Sequence, residues 1–178
     1  TPHQVATEMW NTTVHQKITS KRSLVYHTWI TFSETMFGFL LGTSLGILLA
    51  ITIVHNRATA ISVMPWIITS QTIPILALAP MIVVALGSAG FSGLLPIAII
   101  SMYLSFFPVV VGMVKGLRSP ESLELDQMKT WSASGPQVLM KLRLPKSMPF
   151  FFTSLKLGMA AALVGAIVGE LPFQVLVK

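Results

Sequence analysis

Four long apolar blocks alternate with shorter polar stretches along this chain. They cover residues 24–54, 61–86, 92–114 and 150–168. The first block contains a 20-residue run, Thr35–Val54, that has no charged side chain. A helix needs about 20 apolar residues to cross a membrane. The pattern therefore predicts an all-α fold, a polytopic transmembrane helical bundle with about four spans in this chain.

Composition and charge support a membrane location. Hydrophobic residues make up 53% of the 178 residues and charged residues 10%, whereas a soluble domain carries about 25% charged residues. If the chain crosses the membrane four times, seven of the basic residues lie on the same side of it. They are Arg57, Lys115, Arg118, Lys129, Lys141, Arg143 and Lys146. We place that side in the cytoplasm, because cytoplasmic loops carry the excess of basic residues. The other side collects Lys17, Lys21, Arg22 and Lys178.

Three prolines interrupt the second apolar block, at positions 65, 74 and 80. An interior proline removes a backbone hydrogen bond and kinks a helix, so we expect a broken helix here. Broken helices at membrane depth are surrounded by protein or line a cavity. The polar side chains beside the middle proline therefore either line a solute pathway or satisfy backbone groups freed by the kink. These pathway candidates are Ser70, Gln71, Thr72 and Pro74.

Small residues recur every four positions in the first and last blocks. This spacing places them on one helix face, where a neighbouring helix can approach closely. Glu34 lies one turn before the first of these stripes, and we expect it to be solvated at the outer interface, with a pathway role as the alternative. The predicted packing residues are Gly38, Gly42 and Gly46 in the first block and Ala161, Gly165 and Gly169 in the last.

The first 27 residues are polar and mixed. Val5, Met9 and Trp10 can share one helix face, which predicts a short amphipathic helix at the outer interface. We treat residues 1–178 as a single transmembrane domain that is incomplete at both ends, with residues 1–27 as an outer interfacial segment. The chain begins without a methionine and stops soon after an apolar block.

The longest polar stretch between apolar blocks covers residues 120–149. Ser119 and Pro120 predict a helix start, and Ser134-Gly135-Pro136 predicts a break followed by a second short helix that ends at Pro145. A connection of about 30 residues with this much helical signal indicates an interaction surface. We therefore predict a two-helix loop over residues 115–148 on the cytoplasmic side.

This stretch resembles the EAA loop in the membrane subunits of binding-protein-dependent ABC importers. That motif is an acidic residue, two alanines, three positions, a glycine, nine positions and Ile-x-Leu-Pro. The acidic position and the final Leu-Pro are present here as Asp126, Leu144 and Pro145. The alanines, the glycine and the isoleucine are replaced by Gln127, Met128, Ser132 and Leu142. Residues 70–80, SQTIPILALAP, resemble the nitrate, sulfonate, taurine and riboflavin-type subgroup, and the resemblance covers residues 24–172.

The resemblance implies a permease subunit in a bacterial inner membrane, a transport subunit and not an enzyme. It implies that ATP and Mg²⁺ bind a separate cytoplasmic ATPase and that this chain needs no cofactor. The other implied partners are a periplasmic or lipoprotein solute-binding protein, a second permease copy in a homodimer, and membrane lipid. The ATPase-coupling residues chosen on this basis are Leu123, Met128 and Trp131 as apolar anchors, with Glu124, Asp126, Ser132, Leu144 and Pro145.

Other functions receive less support from the sequence. No Gly-x4-Gly-Lys-Ser/Thr motif is present to hold ATP phosphates, and no Gly-x-Ser-x-Gly elbow suggests a hydrolase. The histidines lack metal-ligand spacing, and the basic residues are too dispersed for nucleic-acid binding. A self-contained secondary transporter or channel is the main alternative, because a broken helix would suit it. Such a protein would not need the long polar loop, and a membrane-bound enzyme would need a catalytic constellation.

Overall fold

The computed structural model describes residues 2–10, 24–91 and 93–176, and the regular elements within them are helices. Three are long: α2 (Leu24–His55), α5 (Leu94–Leu117) and α8 (Leu144–Leu176). The shorter ones are α1 (Pro2–Trp10), α3 (Arg57–Ser70), α4 (Ile75–Ser88), α6 (Ser122–Thr130) and α7 (Gly135–Val138), and a π-helical segment (Leu139–Arg143) joins α7 to α8. His15, Lys17, Lys21, Arg22, Ser92 and Lys178 lie outside the described residues.

The long helices pack through their glycines. A Cβ atom on Gly38 would lie 2.5 Å from the carbonyl oxygen of Ala98, and one on Gly46 would lie 2.9 Å from Val109. Residue numbers therefore rise in the same direction along α2 and α5, which run parallel. Helix α8 runs antiparallel to α5, because Gly165 faces Ser101 whereas Gly116 of α5 faces the start of α8. The bundle thus has a loop end, where α2 and α5 finish, and a far end, where they begin.

Helices α3 and α4 form one broken crossing. Because α2 and α5 run parallel, the segment between them must return from the loop end to the far end. The two helices meet at an angle of 96° across a four-residue break, and the pair is long and apolar enough to count as one span. With the three long helices, this pair makes four candidate spans, as the apolar blocks predict.

Only one of the three prolines in residues 61–86 lies at the break between α3 and α4. Pro74 precedes the first residue of α4. The predicted broken helix is confirmed, and the break occurs only at Pro74, because Pro65 lies inside α3 and Pro80 inside α4. Each interior proline removes one backbone hydrogen bond, a loss that membrane helices tolerate when the rest of the helix stays intact.

The core has two parts, one near each end of the bundle. The larger part joins the second half of α2 to α3 and α5, through buried residues that include Ala50, Ile53, Ile67 and Val110. The smaller part joins α4 to the far end of α5 through Ala79, Val83 and Ile100. Each half of the broken crossing is therefore attached to its own half of the bundle.

Glu34 corrects one sequence-based expectation. Its side chain is 2% exposed, so it is not solvated at the interface. The reason is its position one turn before Gly38, on the face of α2 that packs against α5. Nearby, the Thr31 hydroxyl donates a hydrogen bond to the Glu170 carboxylate of α8, which ties these two helices together at the far end.

Two predicted helix boundaries in the polar loop are also wrong. Helix α6 is capped by Glu121 and not by Ser119, because the Glu124 carboxylate accepts a hydrogen bond from the Glu121 backbone N–H at 2.9 Å. Pro145 does not end a helix but lies in the first turn of α8. The preceding turn is widened to a π-helix, in which the Leu144 N–H donates to the Leu139 carbonyl. A wider turn relieves the clash between a proline ring and the turn before it.

Candidate functional site

Helix α6 is held on the bundle by charged contacts. The Lys146 ammonium group at the start of α8 donates a hydrogen bond to the Glu124 carboxylate. This hydrogen bond, together with the one from the Glu121 N–H, lowers the pKa of Glu124 below its ordinary value. Glu124 was predicted to face an ATPase, but its carboxylate is already engaged within the chain. Its position therefore fits attachment of α6 to α8.

The end of α6 forms a tight turn at the position where the EAA motif has its glycine. The Ser132 N–H donates to the Lys129 carbonyl at 2.8 Å, and the Ala133 N–H donates to the Met128 carbonyl at 3.0 Å. This pair of bonds is the Schellman arrangement, whose first residue beyond the cap adopts a left-handed conformation. Ser132 has φ 53° and is the one non-glycine residue with positive φ among the described residues. The serine thus adopts the backbone geometry that a glycine would adopt more easily.

Large apolar side chains on α6 are left exposed. Leu123 is 76% exposed and Trp131 is 66% exposed, although α6 is a polar helix in a polar loop. Trp131 does not pack back onto the membrane helices of its own chain. Met128 is only 8% exposed, so of the three predicted apolar anchors only Leu123 and Trp131 are presented outward.

Asp126, at the acidic position of the motif, lies on the outer surface of α6. Its carboxylate pairs with the Lys129 ammonium group at 2.8 Å, and both side chains are mostly exposed. An exposed pair of this kind contributes about 1 kcal/mol or less to stability. Asp126 is therefore free to exchange this partner for another cation.

An open groove of about 430 Å³ runs beside Trp131. One wall is α6, and the other is formed by α7 and the π-helical segment. The groove has both apolar and polar sides and is large enough to receive several side chains of a partner. Its lining residues are Glu124, Gln127, Met128, Trp131, Ala133, Gln137, Lys141 and Leu142.

The second wall of the groove is attached to the membrane helices. Ser134 precedes α7, and its backbone N–H donates to the Gln137 side chain at 2.8 Å, so the predicted start of this helix is confirmed. Arg143 donates to the carbonyl oxygen of Leu117 at 3.0 Å, which joins the π-helical segment to the end of α5. Leu144 packs against the larger core cluster, whereas the Pro145 ring is exposed.

The pathway candidates lie at the break between α3 and α4. The Ser70 hydroxyl donates to the Ile67 carbonyl at 2.7 Å and the Thr72 hydroxyl to the Thr69 carbonyl at 2.8 Å. These two hydroxyls satisfy local backbone, as the structural alternative predicts. The buried Nε2 atom of Gln71 differs, because it has no hydrogen-bond partner among the described residues.

The break is held against α5 by Tyr103. The Tyr103 hydroxyl donates a hydrogen bond to the Ser70 carbonyl oxygen, whose usual helical donor would be the N–H that Pro74 lacks, so that its backbone donor is the Ile73 N–H at 3.4 Å. Sequence reasoning did not assign this role to Tyr103, nor the anchoring roles of Lys146 and Arg143. The only local signal was a polar group on each side chain, and the partner residue lies 22 or more positions away in each case.

The small-residue stripes lie between the long helices. Gly42 faces Met102 and Ser105 of α5, and a Cβ there would lie 2.8 Å from the Met102 carbonyl oxygen. Gly165 and Gly169 of α8 face Ser101 and Ile97 of α5, so these backbones also approach closely. Ala161 is partly exposed, and its neighbours Ala162 and Ala166 are fully buried.

Comparison with known proteins gives the family. Residues 42–176 match the family described as the inner membrane component of binding-protein-dependent transport systems. A probable ABC transporter permease from Haemophilus influenzae is 32% identical over 88% of this chain. The formylaminopyrimidine transport permease of Halalkalibacterium halodurans is 33% identical over 81%, and the riboflavin transport permease of Chloroflexus aurantiacus is 28% identical over 81%. The chain spans 63%, 56% and 52% of the lengths of these three relatives.

This match covers the broken crossing, the polar loop and the last long helix, the parts in which the sequence resembles importer subunits. The family is one of transport subunits and does not favour a self-contained transporter. The apolar helices and the family description agree on a multi-pass protein of the inner membrane. This chain belongs to the family of inner-membrane permease components of binding-protein-dependent ABC importers.

Proposed function

We propose that this chain is the membrane-spanning permease part of an ABC importer, forming the solute pathway and coupling it to ATP hydrolysis by a separate ATPase subunit. The observation that carries the proposal is the outward display of Trp131 and Leu123 on α6, beside an open groove at the loop end. Two large apolar side chains exposed on a polar loop are best explained by a protein that covers them. ATP and Mg²⁺ belong to that partner, and this chain supplies the docking helix.

Coupling requires that a force on α6 reaches the membrane helices. Lys146 links α6 to the start of α8, and Arg143 links the second wall of the groove to the end of α5. A movement of the ATPase that carries α6 with it would therefore displace α5 and α8 at the loop end. Because the glycine contacts hold the three long helices closely together, this displacement travels along them as a rigid-body motion.

The solute pathway is proposed to pass the break between α3 and α4. The Nε2 atom of Gln71, which has no hydrogen-bond partner among the described residues, supports this position, since it can donate a hydrogen bond to a solute or water at the break. A solute-binding protein on the far side would deliver a small solute, and a second permease copy would supply the other wall. The loop end would face the cytoplasm.

Association with the ATPase tests the coupling proposal. The permease is co-expressed with a candidate ABC ATPase subunit, and affinity is measured on the purified complex. Truncation of a buried aromatic at the centre of an interface costs about 2 kcal/mol or more, roughly a thirtyfold change in affinity. Trp131→Ala should weaken association by this amount and leave the permease inserted and folded.

Trp66→Ala provides the matched control. Trp66 is 78% exposed but lies on α3, away from the loop, so its loss should leave ATPase affinity unchanged. If the two variants bind the ATPase equally well, the docking role of α6 is wrong.

Gln71→Leu tests the pathway separately, because it should lower solute transport at unchanged ATPase affinity. Normal transport by that variant would remove Gln71 from the pathway.

A further inference from the structure

A second cavity lies on the opposite side of α6 from the groove. It is open at the surface and has a volume of about 310 Å³ between α6, the last turns of α2, and the segment that leads into α8. Its lining combines apolar and basic side chains and, among the described residues, includes no carboxylate. The lining residues are Ile51, Val54, His55, Leu125, Lys129, Gly135, Val138, Leu139 and Arg143.

The basic side chains retain hydrogen-bonding capacity. Arg143 donates one bond to the Leu117 carbonyl, which leaves further N–H donors on a guanidinium group that has five. Among the described residues Lys129 pairs with Asp126, and because both side chains are exposed this contact is easily exchanged. His55 adds a ring that can donate an N–H bond whether or not it is charged. Together these groups provide the positive charge of Arg143, the positive charge of Lys129 when it exchanges Asp126 for a ligand, and several donors, which suits a phosphate group.

The apolar side of the cavity continues toward the membrane. Ile51, Val54 and His55 belong to the last two turns of α2, where the membrane-spanning run ends. Leu48 lies one turn earlier on the same face as Ile51 and is 64% exposed. An apolar surface therefore leads from the middle of α2 to the basic part of the cavity. A ligand that fits both parts has an anionic head and an apolar tail.

We propose that this cavity binds the phosphate headgroup of an anionic phospholipid from the leaflet on the loop side, with an acyl chain lying along Leu48 and Ile51. Basic pockets between membrane helices at the cytoplasmic surface bind such headgroups in other membrane proteins. A free phosphate ion would use only the basic half of the cavity and leave its apolar half uncovered. The bound lipid would join α2 to α6 and so hold the docking helix at the membrane surface.

This inference does not depend on the identity of the ATPase or of the solute. Binding can be measured on the purified permease alone, in detergent, by native mass spectrometry. Phosphatidylglycerol is titrated as the anionic probe, and phosphatidylcholine is titrated in parallel. Lys129→Gln and His55→Gln should each reduce the affinity for phosphatidylglycerol. For Lys129→Gln, which removes a positive charge, the expected reduction is about tenfold, which corresponds to roughly 1.4 kcal/mol.

Lys141→Gln is the matched control, because Lys141 lies in the groove on the other side of α6 and carries the same charge. It should leave phosphatidylglycerol affinity unchanged. Gly135→Val narrows the cavity without altering its charge, since His55 lies 3.7 Å from the position of a Cβ there, and it should also reduce binding. Thermal stability measured on each variant separates loss of the site from loss of the fold.

Three outcomes would overturn the proposal. Equal affinity for phosphatidylcholine and phosphatidylglycerol would show that the basic residues do not select the ligand. Equal loss in Lys141→Gln would indicate a general charge effect. Displacement of phosphatidylglycerol by inorganic phosphate at equal concentration would show that the apolar half of the cavity does not contribute, and would assign the site to a soluble anion.

Discussion

The three long helices place their smallest residues at their contacts with one another, whereas the loop helix α6 exposes a large aromatic side chain. In the bundle, glycines lie inward, and a Cβ on any of Gly38, Gly46 or Gly165 would come within 3.0 Å of α5. At the end of α6, by contrast, the large apolar side chain of the capping residue Trp131 points outward and is 66% exposed. The bundle buries backbone against backbone, whereas α6 leaves an aromatic ring uncovered.

The difference follows from what surrounds each region. Lipid tails are as apolar as leucine, so burial of large side chains gives little driving force between membrane helices, and close backbone approach through small residues takes its place. The polar loop faces water, where an exposed aromatic ring is unfavourable unless a partner covers it. The contact between α2 and α5 is therefore formed within the chain, whereas the exposed aromatic ring at the end of α6 agrees with the proposed docking of an ATPase there.

The largest effect should come from placing a large side chain in the close contact between α2 and α5. Gly42→Leu would place a side chain against the Met102 carbonyl oxygen and the Ser105 side chain, and backbone atoms cannot move aside. We expect about 3 kcal/mol or more of destabilisation, at the upper end for overpacked sites. The measurement is the yield of monodisperse permease in detergent and its thermal midpoint. Gly87→Leu is the control, because no atom lies within 4 Å of a Cβ there, and equal behaviour of the two variants would contradict the role of this close contact.

Cysteine labelling tests which end of the bundle carries the docking surface. The chain has no cysteine, so single cysteines at Ser134 and Ser88 report without background. Ser134 lies in the loop and Ser88 at the end of α4, on opposite ends of the bundle. In intact cells, an impermeant thiol reagent should label Ser88→Cys and leave Ser134→Cys unlabelled until the membrane is opened. The reverse pattern would place the loop outside the cell and remove the coupling proposal.

The attachment of α6 to α8 should depend on pH through Glu124. The Lys146 hydrogen bond lowers the pKa of this carboxyl group in the folded protein below the ordinary 4.5. A lowered pKa means that the contribution to stability is present above about 4.5 and is lost as the pH falls through the folded pKa. Hydrogen exchange of α6 amides, corrected for intrinsic rates, should therefore show protection at neutral pH that declines in acid.

Glu124→Gln should remove most of that protection at neutral pH. Asp126→Asn provides the control, since its carboxylate pairs only with the neighbouring Lys129 on the exposed face. If both variants retain the protection and the pH profile of the parent, the ion pair to α8 does not hold the docking helix in place.

The smallest effect concerns the turn after α6. Ser132 has φ 53°, a conformation that costs a residue with a Cβ atom about 1 kcal/mol relative to glycine. Ser132→Gly should therefore raise the thermal midpoint slightly. The increase is small because glycine also gives the unfolded chain more conformational entropy, which offsets part of the gain in stability. Ser134→Gly is the comparison, because Ser134 has φ −68° and gains nothing from glycine. A higher midpoint for the second variant than for the first would contradict the strain at Ser132.

The resemblance in the polar loop could be found from the sequence because its signals are local. The spacing from Asp126 to Pro145, the turn at Ser134-Gly135 and the apolar blocks are all carried by residues close in the chain. Helix caps were less predictable: Ser119 is a preferred N-cap residue and Glu121 is not, yet the helix is capped by Glu121 because the Glu124 carboxylate binds both the Glu121 N–H and Lys146.

The sequence by itself determined that this is an all-α membrane protein, where its four apolar blocks lie, and which glycines recur on one face. Apolar length and four-residue periodicity are properties of a single helix, so one chain segment suffices to show them. The tertiary structure alone decided that Glu34 is buried, that Met128 is covered while Trp131 is not, and that Pro145 continues a helix. Those outcomes depend on which helix packs against which face. Contacts among α2, α5 and α8 join residues far apart in the chain, and the link from α6 to α8 is the Lys146 hydrogen bond to Glu124.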